Sequence, residues 1–314
     1  MKEYFLGIDT SNYTTSAALC DGNGRIVANV KKLLPVAQGQ KGLRQSDALF
    51  HHTVQLPDVL RQLSPVLKDG KLFAVGASCR PRDAEGSYMP CFLAGKSGAV
   101  SASVSAGCSF YEFSHQCGHV AAAVYSAGKN ELFSESFAAF HVSGGTTDVL
   151  LVSPHKERIF EVKRIGGTLD LNAGQLIDRA GVMMGLGFPC GPELEKLALS
   201  YKGEKDKVSV SVKNLECNLS GIENKASKLY SETKDSARCA SFVIRSVSET
   251  LKKISENLTE QYKGIPVIYA GGVMSCSVIK NELSSFGSFA EPEFSSDNAA
   301  GVSLMTYMKY YGLQ

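Results

Sequence analysis

Two short segments of this chain match weakly, and the shared pattern restricts the possible folds more than any other feature. Asp9-Thr-Ser-Asn-Tyr-Thr-Thr15 and His141-Val-Ser-Gly-Gly-Thr-Thr147 each follow an apolar run, turn at a serine, and reach a Thr-Thr pair that opens a second apolar run with leucine. Both read as strand, turn, strand. Residues 4–9, 14–20 and 25–34 predict a three-stranded meander, with Asp21-Gly-Asn-Gly24 as a hairpin turn. Residues 136–142, 147–152 and 157–165 predict the same meander again. A unit repeated this way implies a duplicated lobe. We therefore expect an α/β chain of two lobes with a cleft between them, each lobe offering a turn to a ligand. The lobe limits are expected at residues 1–112, joined by a returning C-terminal helix at 298–314, and at residues 113–297 for the second lobe.

Between the meanders the apolar spacing predicts helices. Residues 45–63 form one, which Pro57 kinks or ends. Residues 91–106 form a small-residue helix, and strands are expected at 72–77 and 111–113. Further helices fall at 171–184, 193–200, 237–262 and 278–286, with a strand at 265–272. The 237–262 helix reads as core packing, with its polar side carrying Lys252, Lys253 and Glu260.

Composition excludes some classes. The 314 residues carry net charge +2, so no global field for polyanions is present. No apolar run reaches the ~18 residues of a bilayer span, so no membrane partner is expected. The chain enters a strand directly from Met1, and we expect no signal peptide. Nine cysteines without CxxC pairs suit reduced thiols in the cytoplasm.

The chemistry-bearing stretch is His115-Gln-Cys-Gly-His119. Four-residue spacing puts both imidazoles on one helix face, one turn apart, which is a metal-ligand geometry. On spacing alone, such a pair is more often two exposed or core-capping helix histidines. A zinc protease would need Glu where Gln116 stands, because that residue is the general base. Val142-Ser-Gly-Gly145 suits a phosphate-approaching turn, or an ordinary hairpin turn. Asp9 is the candidate catalytic carboxylate of the first turn. It suits a nucleotide-associated cation such as Mg²⁺, or a turn cap.

Seven segments together resemble one family. They are Ser114-His-x-x-Gly-His119, Val142-Ser-Gly-Gly145, Thr168-Leu-Asp-x-x-Ala-Gly-x-x-x-Asp178, Gly185-Leu-Gly-x-Pro-x-Gly-Pro192, Leu219-Ser-Gly221, Ala270-Gly-Gly-Val273 and Asp297-Asn-Ala-Ala300. In this order they resemble the TsaD family, formerly described as O-sialoglycoprotein endopeptidases. The resemblance implies the actin/Hsp70/sugar-kinase (ASKHA, RNase H-like) fold. It implies transfer of a threonylcarbamoyl group from an adenylate to the adenosine beside the tRNA anticodon. It places metal ligands at His115, His119 and Asp297, with His141 at a position where some relatives use Tyr. It places nucleotide contacts at Val142, Ser143, Gly144, Gly145, Asp178, Gly191, Gly271 and Gly272, with Cys276 standing at the family's asparagine. The implied cofactors are one divalent metal, Zn or Fe, and ATP or an adenylate. The implied partners are tRNA and TsaB-like or TsaE-like proteins, or a second copy of the chain.

The first lobe departs from the family pattern. Where relatives read Gly-Ile-Glu-Thr-Ser-Cys-Asp-Glu-Thr, this chain reads Gly7-Ile-Asp-Thr-Ser-Asn-Tyr-Thr-Thr15. Tyr13 and Thr14 replace an acidic pair, and neither is an anion at neutral pH. Two other functions therefore stay open. One is a nucleotide- and metal-binding regulatory or scaffold protein without tRNA transfer. The other is carbamoyl or phosphoryl transfer to a small molecule.

Overall fold

The computed structural model describes residues 1–11, 13–35, 43–295 and 298–313. Its strands are β1 (Lys2–Ser11), β2 (Thr14–Asp21), β3 (Ile26–Leu33), β4 (Gly70–Arg80), β5 (Ser109–Ser114), β6 (Phe137–Val142), β7 (Thr147–His155), β8 (Ile159–Thr168), β9 (Ser211–Lys213), β10 (Glu216–Asn218), β11 (Val267–Ala270) and β12 (Ser288–Phe289). Its helices are α1 (Gln45–Arg61), α2 (Ser64–Leu67), α3 (Phe92–Ala106), α4 (His115–Ser126), α5 (Ala173–Met183), α6 (Gly191–Ser200), α7 (Ser220–Thr233), α8 (Ser236–Gln261), α9 (Ser277–Leu283), α10 (Pro292–Ser295) and α11 (Ala300–Tyr311).

Two compact units result. Unit 1 comprises Met1–Glu135, Ser153–Val162 and Glu293–Gln314; unit 2 comprises Ser136–Val152 and Lys163–Pro292. This grouping differs from a division at residue 112, because α4, with both histidines, packs on β4, β5 and α11.

The five-stranded sheet runs β3-β2-β1-β4-β5. β1 is antiparallel to β2 and parallel to β4, which is parallel to β5. β1 is apolar on both sides because both faces of the sheet are covered. Ile8 lies in the core cluster with Leu56 of α1 and Ala99 of α3. On the other side, Gly7 has no room for a Cβ, which would run into Ser303 of α11. Phe5 packs there against Tyr307, Tyr310 and Tyr311.

The seven-stranded sheet runs β12-β11-β6-β7-β8-β10-β9. Its first five members, read as β8-β7-β6-β11-β12, repeat the third-second-first-fourth-fifth order of the other sheet. The duplication expected from the two serine turns is therefore a duplication of topology. Phe140, Val142, Val149, Leu176, Ile222, Val243, Val247 and Leu251 share one core. Tyr269 on β11 is fully buried between Phe140 and Phe289, and its hydroxyl meets Ser255 of α8 at 2.7 Å.

One helix expectation changes and one further helix appears. α1 continues through Pro57 to Arg61 without a break. The proline removes one amide donor from the ladder, which a helix of 17 residues tolerates. Residues 220–233 form α7, whose buried face consists of Ile222 and Ala226, one helical turn apart. Among the described residues, no helix is long and apolar enough to cross a membrane. Among the described residues, no disulfide joins any of the nine cysteines.

Candidate functional site

In unit 2 the residues singled out by motif collect around one cavity of about 420 Å³. The turn after β6 starts it. Ser143 N–H donates to Thr146 O at 2.7 Å, and Gly145 N–H donates to Ser143 Oγ at 3.3 Å, closing a tight loop. The start of α5 is pinned to this loop. Gly174 N–H donates to Ser143 O at 3.2 Å, and Ala173 N–H donates to Thr147 Oγ1 at 2.9 Å. A Cβ on Gly174 would meet Gly144 Cα at 2.6 Å, so two backbones touch here. A helix N-terminus aimed at a glycine turn suits phosphate oxygens.

Gly144, Asp178, Gly191, Gly272 and Cys276 line the cavity. Val142, Ser143, Gly145 and Gly271 do not line it; they form the strand end and turns behind it. Gly271 has φ +103°, and a Cβ there would collide with the Val142 carbonyl. That position requires glycine on both counts.

Asp178 accepts from Cys190 N–H at 2.8 Å. Burial pushes its carboxyl above the usual range, and the Cys190 N–H only partly offsets this. Ile177, Pro189, Ile244 and Val273 supply apolar wall. The mix of apolar wall, glycine backbone and two carboxylates, Asp178 and Glu195, suits a nucleoside.

Motif reading missed Glu195. Its Oε1 accepts from Ser277 N–H at 2.7 Å and Ser277 Oγ at 2.5 Å, tying α6 to the loop that carries Cys276. The signal available was the second of two glutamates, in the fifth position of a helix that opens at the Gly-Pro motif. Cys276 is buried, and burial, with the Glu195 carboxylate adding to it, pushes its thiol up to about 11.

In unit 1 a second cluster forms at the carboxyl ends of β1 and β4 and at the start of α4. Asp9 is 1% exposed. Its Oδ1 accepts from Ser11 N–H at 2.8 Å, and its Oδ2 accepts from Ser78 Oγ at 2.6 Å and faces His115 Nδ1 at 2.8 Å. Burial alone would push the Asp9 carboxyl up; the His115 charge and these three hydrogen bonds outweigh it and hold it below the usual carboxylate range. His115 and His119 stand edge to face, with ring centroids 4.3 Å apart. Ser114 caps α4 through Cys117 N–H at 3.3 Å, which fixes where the histidine face begins.

The four expected metal positions are placed unequally. His115 and His119 are side by side in unit 1. His141 lies on β6 in unit 2, opposite Asp148 of β7. Asp297 lies outside the described residues. Among the described residues, no group of three or more His, Cys, Asp or Glu is arranged to hold a metal ion. The His115–His119 pair has donor chemistry that fits Zn or Fe, and a carboxylate behind one imidazole is a usual support for such a ligand.

Behind the turn at Thr14, Thr15 Oγ1 meets His52 Nδ1 at 2.8 Å and donates to Gln55 Oε1 at 3.1 Å. Tyr13, at the tip, is 43% exposed.

Comparison with known proteins agrees with these features. The family model TsaD, tRNA N6-adenosine threonylcarbamoyltransferase, matches residues 37–304. The tRNA N6-adenosine threonylcarbamoyltransferase of Campylobacter fetus subsp. fetus is 28% identical over 325 residues, covering 97% of this chain and 92% of the relative. Among solved structures, T. kodakarensis HypF aligns with TM-score 0.61 at 12% identity, over 99% of this chain and 48% of that one. The (R)-2-hydroxyglutaryl-CoA dehydratase component A of Acidaminococcus fermentans aligns with TM-score 0.55 at 15% identity, over 98% and 99% of the two chains. These likenesses show the ASKHA-type fold that the family resemblance implies.

Proposed function

The chain belongs to the TsaD family of tRNA N6-adenosine threonylcarbamoyltransferases, and from that premise we propose that it transfers a threonylcarbamoyl group from an adenylate to N6 of a tRNA adenosine. It is an enzyme of the acyltransferase kind. The reading rests chiefly on one observation: five motif residues from four separate segments meet around the 420 Å³ cavity of unit 2.

In this reading the adenylate lies in that cavity. Its phosphate lies against the Gly144 backbone of the turn and the Gly174 end of α5, both of which line the cavity. Asp178 accepts from the ribose hydroxyls, and Gly191, Gly272 and Cys276 border the base. Apolar wall from Ile177, Ile244 and Val273 excludes water from the mixed anhydride. The N6 amine attacks the carbamoyl carbon, the C–O bond to the phosphate breaks, AMP departs and the amine proton passes to solvent.

His115 and His119 would hold a divalent metal, with His141 and Asp297 as the members of the set inferred from sequence. Such an ion polarises a carbonyl or phosphoryl oxygen. ATP, with Mg²⁺, is the alternative occupant of the nucleotide cavity. Phe50 and Val54 of α1 and Leu93, Val100 and Val104 of α3 are exposed apolar side chains at helical spacing. They support a TsaB-like partner or a second copy docking on this helix pair, with a TsaE-like protein joining the assembly. Nine cysteines with no disulfide among the described residues support a cytoplasmic setting.

The test supplies purified protein with threonylcarbamoyl-adenylate, tRNA and the partner proteins, and measures modified nucleoside by mass spectrometry. Modified adenosine is expected, and its loss is expected in Asp178→Ala. Nucleotide binding without any modified tRNA would remove the transferase reading and leave a binding protein.

A further inference from the structure

We propose that Asp9 is a positioning residue: its buried carboxylate holds the Nδ1–H of His115, and so makes Nε2 the nitrogen that His115 presents to a metal. The inference rests on the proposed metal role of the His115–His119 pair and deepens it.

The geometry removes Asp9 from contact with substrate. It is 1% exposed, and both carboxylate oxygens are engaged. Three elements converge on it. Ser11 N–H reaches Oδ1 from the end of β1, Ser78 Oγ reaches Oδ2 from β4, and His115 Nδ1 reaches Oδ2 from the first residue of α4. β1 and β4 are neighbouring parallel strands, so the carboxylate and Ser78 sit on a fixed frame. A carboxylate accepts and never donates when ionised. The ring nitrogen facing it must therefore carry the proton. Nε2, the nitrogen turned away from Asp9, is then the ring nitrogen through which His115 can ligate a metal. Support of this kind fixes tautomer and ring orientation and raises ligand basicity. His119, one turn along α4, lies edge to face against the same ring, so locking His115 also sets the spacing of the pair.

The arrangement also predicts what an isosteric change does. In Asp9→Asn, the Ser11 N–H still requires an acceptor at the Oδ1 position. The new amide nitrogen then takes the place of Oδ2 and donates to His115 Nδ1. The proton moves to Nε2, the wrong nitrogen for ligation.

Two measurements decide the matter. The first is the nitrogen-15 NMR spectrum of His115 in metal-free protein, assigned with His115→Gln. Nδ1 is expected to be protonated in the wild type and unprotonated in Asp9→Asn. An unprotonated Nδ1 in the wild type would overturn the proposal without any variant having to fold. The second is Zn²⁺ affinity by competition with a chelating dye. Asp9→Asn should bind about 10–100-fold more weakly, while Ser78→Ala, which keeps the carboxylate, should stay within about threefold of wild type. Equal affinity in Asp9→Asn and wild type would overturn the positioning role. A wild-type protein that binds no Zn²⁺ would instead count against the metal reading, and the Nδ1 signal would still decide the part played by Asp9.

Discussion

Gly174 of α5 and Gly144 of the turn after β6 are in backbone contact: a Cβ on Gly174 would lie 2.6 Å from both the nitrogen and the Cα of Gly144. The contact sets how closely the helix N-terminus approaches the turn. Gly174→Ala should therefore push the turn out of place at a cost of about 1–3 kcal/mol. Adenine nucleotide affinity should fall by at least about tenfold, or ~1.4 kcal/mol. Calorimetric titration beside a thermal melt checks this. A folded variant with wild-type nucleotide affinity would show that the turn does not touch the ligand.

A similar contact sits under the histidine helix. A Cβ on Gly301 of α11 would collide with the Gly118 carbonyl and come within 2.8 Å of Ala122 N, both on α4. The small residues of α4 permit this close crossing. Gly301→Ala should cost about 1–3 kcal/mol in stability and weaken metal binding by shifting α4. Denaturant unfolding and metal titration on the same sample report both effects. Full stability in the variant would mean that the helices separate without penalty, contrary to the packing described.

The histidine pair and the residue between them should behave differently. His119→Ala should abolish stoichiometric metal in protein purified without chelator, measured by inductively coupled plasma mass spectrometry. Gln116→Ala should retain it, since the Gln116 contribution is a backbone one, with its N–H donating to Pro81 O at 3.0 Å. Unchanged metal content in His119→Ala would refute the ligand assignment.

Asp170 gives a pH dependence with a definite sign. Its carboxylate accepts from Leu219 N–H at 2.8 Å, Ser220 N–H at 3.2 Å and Ser220 Oγ at 2.5 Å at the start of α7, and from Leu171 N–H at 2.6 Å. Burial opposes ionisation, but these hydrogen bonds outweigh it and hold the carboxyl below its ordinary value. A lowered folded-state value stabilises the fold above the unfolded-state value near ~4, and that contribution disappears as pH falls further. Asp170→Asn should lose about 1 kcal/mol at neutral pH. The gap from wild type should close as pH drops below about 4. Urea midpoints across that range test it; a gap independent of pH would mean that the charge is irrelevant.

Much of the fold was legible because each lobe writes its strands as apolar runs punctuated by short polar turns. The repeated serine turn exposed the duplication, and the structure answers with the same strand order in both sheets. α8 was legible for the opposite reason, since a long stripe of Val243, Val247, Leu251 and Ile254 has one period only. α7 was not, because its buried face is carried by Ile222 and Ala226 among lysines, serines and glutamates. The unit 2 cavity was legible through glycines, whose positions are set by backbone approach. Glu195 was not, because its importance lies in Ser277, 82 residues away. Asp9 was visible as a singular carboxylate, but its burial depends on Ser78 and His115, which no local pattern joins to it.

The order in which the chain is made matters for unit 1. Its sheet begins at Lys2, yet one face of β1 and β4 is covered by α11, where Gly7 and Gly76 meet Ser303 and Thr306. A growing polypeptide can assemble the 163–292 portion of unit 2 while that face still waits for its helix. Phe5 and its neighbours must then stay exposed, or sheltered by a chaperone, until residues 300–311 leave the ribosome. Emergence of α11, rather than synthesis of the first hundred residues, is the moment at which the histidine helix gains its floor.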